Sequence, residues 1–70
     1  RLYLANNQIG LIDSLYHLSV LQVLDISFND VDDISPLFEL SHLSYLNVIG
    51  NRIPAWQLEK IQLQGVTLVA

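Results

Sequence analysis

The sequence predicts an α/β solenoid of stacked short strands, and three observations predict it. An eight-residue pattern recurs at a step of 22 residues, apolar residues alternate with period two at the head of each copy, and apolar residues recur every third position in the spacer that follows. A fourth segment, after Ile53, breaks the spacer pattern but keeps the step.

The three copies are Leu2-Tyr3-Leu4-Ala5-Asn6-Asn7-Gln8-Ile9, Leu24-Asp25-Ile26-Ser27-Phe28-Asn29-Asp30-Val31 and Leu46-Asn47-Val48-Ile49-Gly50-Asn51-Arg52-Ile53. Leu21 and Leu43 add a leucine three residues upstream of the second and third copies. The alternation in Leu2-x-Leu4, Leu24-x-Ile26 and Leu46-x-Val48 makes each a short strand with one apolar face. Such a strand cannot bury that face alone, and stacking successive copies produces one continuous core. Asn7, Asn29 and Asn51 mark the turn off each strand. An amide both donates and accepts, so these side chains are expected to bond backbone groups of adjacent turns as a structural ladder.

The spacers place Ile9, Ile12, Leu15 and Leu18 in phase with Val31, Ile34, Leu37 and Leu40. A step of three suits a tight, partly 3₁₀ connection, and Pro36 fits its first turn because a missing N–H costs little there. After Ile53 the spacer has Glu59 where its counterparts are Leu15 and Leu37, and Gln62 where they are Leu18 and Leu40. Leu58 and Ile61, with Trp56 and Leu63 behind them, fall near one helical face between Pro54 and Gly65, which predicts an α-helix. Gln57, Glu59, Lys60, Gln62 and Gln64 are expected to form its polar outer surface, and Trp56 to take the core position of Ile12 and Ile34, the alternative being an exposed binding anchor. Val66-Thr67-Leu68-Val69-Ala70 then reads as a strand, with Leu68 22 residues after Leu46.

The pattern L-x-x-L-x-L-x-x-N-x-L resembles the leucine-rich repeat family in its 22-residue class, that of protein-phosphatase regulators and bacterial internalins. Asp33-Ile34-Ser35-Pro36-Leu37, followed by Leu40 and Leu43, is similar to the internalin-type spacer. The resemblance covers residues 1 to 53. It implies a right-handed solenoid with a parallel β-sheet on the concave face and short 3₁₀ or helical segments on the convex side. Residues 54 to 70 resemble the capping helix and final strand that finish bacterial domains of this kind. On this reading residues 1–70 form a single domain, with repeats at about 1–20, 21–42 and 43–53 and the cap at 54–70. The opening inside an apolar pattern predicts a longer chain, whose upstream repeats cover the edge of the first strand.

Composition narrows the function. Hydrophobic residues make up 51% and charged residues 14% of the chain, a balance that excludes intrinsic disorder. Seven acidic residues against three basic ones give a net charge of -4, which argues against direct nucleic-acid binding because phosphate contacts need Lys and Arg. No apolar run approaches a membrane span. Cysteine is absent, so there is neither a disulfide nor a thiolate metal site, and no cofactor or metal is expected. His17 and His42 occupy different phases of the repeat, and a Ser-His-Asp constellation has nothing to support it. Asp30, Asp32 and Asp33 lack the Gly and Glu of a calcium loop and read as a solvated turn. An enzyme is the least supported class.

Binding is better supported. The resemblance implies that residues between the buried strand positions point out of the concave face: Arg1, Tyr3 and Ala5, then Val23, Asp25 and Ser27, then Tyr45, Asn47 and Ile49, then Thr67 and Val69. Tyrosine is enriched among interface anchors. Tyr3, Val23, Asp25, Tyr45, Asn47, Ile49 and Thr67 are the candidate contacts to a protein partner, with Phe28 at the rim. The expected function is non-enzymatic protein–protein interaction. The alternative is a structural cap or scaffold of a longer adhesin or regulatory subunit that grips its partner through other repeats. The lack of cysteine separates the chain from extracellular eukaryotic relatives with disulfide-bonded caps, which leaves a cytoplasmic protein or a bacterial surface or secreted one.

Overall fold

The structure, a computed structural model, describes residues 1–6 and 18–70. Asn7 and the spacer positions Ile9, Ile12 and Leu15, together with His17, lie outside the described residues. Among the described residues four strands form one parallel sheet in sequence order: β1 (Leu2–Tyr3), β2 (Val23–Asp25), β3 (Tyr45–Asn47) and β4 (Thr67–Val69). The pairing keeps the 22-residue step throughout. Leu2 faces Leu24, Leu24 faces Leu46 and Leu46 faces Leu68, so each strand sets the same residue of the pattern beside its neighbour.

Parallel strands need a crossover between them. The one from β2 to β3 contains a 3₁₀ helix, Ser35–Glu39, with Pro36 in its first turn. Its three-residue step has a backbone cause. Leu37 N–H donates to Ile34 C=O at 2.8 Å, Leu40 to Leu37 at 3.1 Å and Leu43 to Leu40 at 3.1 Å. Residues three apart eclipse in 3₁₀ geometry, so all four side chains point inward, and all four are buried. With Leu24, Ile26, Val31, Leu46 and Val48 they make a continuous apolar core, closed by Ile61 and Val66.

Leu18 departs from the expected pattern. It is 42% exposed, whereas its counterpart Leu40 is 3% exposed. Among the described residues β1 is an outer strand with a neighbour on one side only, and Leu2 and Leu4 are likewise only partly buried where Leu24 and Ile26 are fully enclosed.

The crossover from β3 to β4 is the α-helix α1 (Ala55–Leu63). Pro54 precedes it, and Gly65 follows at φ +89°, donating its N–H to Gln62 C=O at 3.0 Å, a left-handed glycine termination. The rotation of this helix differs from the sequence expectation. Trp56 is 58% exposed and Leu63 88% exposed, while Gln57, expected on the outer surface, is 4% exposed. Ile61 is fully buried and Leu58 half-buried, so the inward face is Gln57, Leu58 and Ile61. Counting 22 residues forward from Ile34 lands on Trp56, but that count assumes a three-residue step. An α-helix turns every 3.6 residues, and the inward position passes to Gln57. Its amide is satisfied there: Oε1 accepts Ile34 N–H at 2.7 Å and Nε2 donates to Asp33 Oδ1 at 2.9 Å. Trp56 turns outward, its ring edge-on to Phe38 at 6.4 Å, and Lys60 Nζ lies 4.9 Å above the Phe38 ring centre.

Candidate binding face of the sheet

One face of the sheet packs on the core and the other is open. The register sorts the open-face side chains into rows. Tyr3, Asp25, Asn47 and Val69 form one row, and Val23, Tyr45 and Thr67 the next. Tyr3 and Thr67 are exposed, and Val23, Asp25, Tyr45, Asn47 and Val69 are half-buried beside one another. Ile49 is partly exposed beyond the end of β3. The structure therefore brings all seven candidate contacts to one side of the sheet. Ser27 is the exception among the residues expected on this side: it is buried.

Two polar residues of the central row are held by their own backbone. Asp25 Oδ1 accepts Ser27 N–H at 3.0 Å, and Asn47 Oδ1 accepts Ile49 N–H at 3.1 Å. These Asx bonds satisfy amides where the strands end and fix the direction of each side chain. Both residues, expected as partner contacts, shape the strand ends.

The turn beyond is organised by asparagine. Asn29 Nδ2 lies within hydrogen-bond distance of Leu4 C=O at 3.0 Å, Ile26 C=O at 2.8 Å and Ser27 C=O at 3.2 Å. Asn51 Nδ2 repeats the arrangement one step on, at 2.8 Å from Ile26 C=O and 3.1 Å from Val48 C=O, and its Oδ1 accepts Val31 N–H at 3.0 Å.

The residue before each of these positions adopts the left-handed conformation: Asn6 at φ 60°, Phe28 at φ 55° and Gly50 at φ 78°. Asn and Gly tolerate it, whereas a bulky aromatic there is an outlier. Phe28 is 56% exposed, and its ring lies against Gly50, where a Cβ would come 2.5 Å from Phe28 Cδ1. The 22-residue offset linking positions 6, 28 and 50 was the available signal for this conformation.

A family model described as leucine-rich repeats (2 copies) matches residues 1–38, more than half of the 70-residue chain. The chain belongs to the leucine-rich repeat family. Among curated proteins none matches it. Leucine-rich repeat domains generally mediate protein–protein interaction and are typically non-enzymatic. Among the described residues of this leucine-rich repeat chain no group of His, Cys, Asp and Glu has the arrangement of a metal site, and no helix is long and apolar enough to cross a membrane.

Proposed function

We propose that this chain is a non-enzymatic interaction module that binds a protein partner on the open, concave face of a right-handed leucine-rich repeat solenoid. Tyr3, Val23, Asp25, Tyr45, Asn47, Ile49 and Thr67 are the contact residues. The repeats run at about 1–20, 21–42 and 43–53, and α1 with β4 caps the stack over 54–70. Asn29 and Asn51 act as scaffold, holding successive turns at a fixed spacing.

One observation carries this reading. Two tyrosines and two valines lie in adjacent rows on the side of the sheet away from the core, with Tyr3 exposed. Such a surface is of the kind that interfaces use, large aromatic anchors among small polar groups. The alternative, a scaffold whose partner is gripped by other repeats, is favoured by β4, the outer strand beside β3, which extends the two rows with Thr67 and Val69 and adds no aromatic side chain.

The two readings separate in the full-length protein. Val23→Arg and Tyr45→Arg alter the open face without touching a fully buried side chain. Loss of binding to peptides selected on the wild type, at an unchanged melting temperature, supports the module. Undiminished binding places the grip elsewhere.

A further inference from the structure

Among the described residues, the rows of the open face carry one carboxylate, Asp25, and its position restricts what can cover it. It lies on the interior strand β2, in register with Tyr3 on one side and Asn47 on the other. Its Oδ1 is held by Ser27 N–H at 3.0 Å, which aims the carboxylate, and the side chain is already half-buried. Asn47 is aimed in the same way by Ile49 N–H at 3.1 Å, which leaves its amide donors for other contacts. Tyr3, Val23 and Tyr45 surround the pair with aromatic and aliphatic surface.

One backbone N–H does not compensate a carboxylate removed from water. A charge buried at an interface needs an opposite charge and hydrogen bonds to its remaining lone pairs. A partner covering this face with apolar surface alone would strand Asp25. A guanidinium meets both requirements: its parallel N–H donors match a carboxylate, and its flat face stacks on an aromatic ring such as that of Tyr3. The net charge of -4 attracts a basic segment before contact.

We infer that the open face receives a protein segment that places an arginine against Asp25, between Tyr3 and Asn47, with flanking apolar side chains on Val23 and Tyr45. This assignment rests on the binding-face reading above and adds the chemistry of the ligand. The test is selection of random peptides on the full-length protein, followed by titration of the selected sequences against variants. Arginine enrichment in the pool is expected, with Asp25→Asn weakening binding by about tenfold or more at an unchanged melting temperature. Added salt is expected to weaken the wild type more than the variant. A pool without basic residues whose binding is lost in Tyr45→Arg overturns the arginine assignment and leaves the binding face standing. A pool indifferent to Tyr45→Arg and Asp25→Asn overturns both, as does a selection that yields no binder.

Discussion

Gln57 on α1 accepts the backbone N–H of Ile34 at 2.7 Å, across 23 residues of sequence. The bond lies in the interior, and it ties the helix to the 3₁₀ crossover of the preceding repeat through a polar group where an apolar one was expected. Gln57→Leu keeps much of the volume and takes the amide away from both of its partners, leaving Ile34 N–H buried and unpaired. The expected cost is about 1–3 kcal/mol in denaturant unfolding. Gln57→Glu is expected to cost more, because it loses the donor to Asp33 and sets two carboxylates together.

Asp33, which accepts from both Ser35 and Gln57, gives a pH signature dominated by Ser35. The N–H of Ser35 holds its carboxyl below the ordinary carboxylate range, with the Ser35 side chain and Gln57 adding to the effect and desolvation opposing it. A depressed folded value means that the charged form is preferred in the native state. Its contribution is present above the unfolded value of about 3.9 and is lost as pH falls through the folded one. Asp33→Asn is therefore expected to be less stable than wild type near neutral pH, with the gap closing below about pH 4. Parallel stability curves across that range would contradict the assignment. Because Asp33 is exposed, the gap is small.

Asn29 and Asn51 make matching contacts one repeat apart, Asn29 to Leu4 C=O and Asn51 to Ile26 C=O. Asn29→Ala removes the side-chain donor shared by Leu4, Ile26 and Ser27 C=O, although Ile26 keeps Asn51 Nδ2 and Ser27 keeps Asn6 N–H, and Asn51→Ala leaves Val31 N–H without its acceptor. A loss of about 1–3 kcal/mol is expected for either, read from chemical denaturation. Melting curves that do not move would remove the scaffold role.

Phe28 and Gly50 form a pair that a double-mutant cycle can resolve. Gly50→Ala adds a Cβ that meets the Phe28 ring and forces an L side chain into left-handed backbone, for an expected cost of about 1–2 kcal/mol. Phe28→Gly relieves its own strained φ and removes the ring, so Gly50→Ala is expected to cost less in that background. Additive effects would show that the ring does not press on Gly50.

The sheet was legible in the sequence because a parallel register repeats whatever period the chain has. Leu2, Leu24, Leu46 and Leu68 had to stand in line once 22 was recognised as the step, and the buried Ile34, Leu37 and Leu40 followed from the three-residue recurrence. The helix was legible in extent but not in rotation. Projecting the repeat onto α1 carried a 3₁₀ phase into an α-helix, which put Trp56 inside and Gln57 outside, the reverse of what is found. A buried glutamine is also invisible to hydropathy, since its place depends on Ile34 N–H and Asp33 being within reach. On the open face, alternation gave the side on which Tyr3, Asp25 and Tyr45 lie, but not the bonds from Ser27 and Ile49 that aim Asp25 and Asn47. Phe28 in a left-handed turn could be read only from its alignment with Asn6 and Gly50, not from its own residue type.

The binding face is tested most directly by amide hydrogen exchange of the full-length protein with and without a selected peptide. Added protection over residues 23–27 and 45–49, with α1 unaffected, is the predicted result. Protection confined to residues 55–63, with β2 and β3 unchanged, would contradict the account and place the partner on the helix.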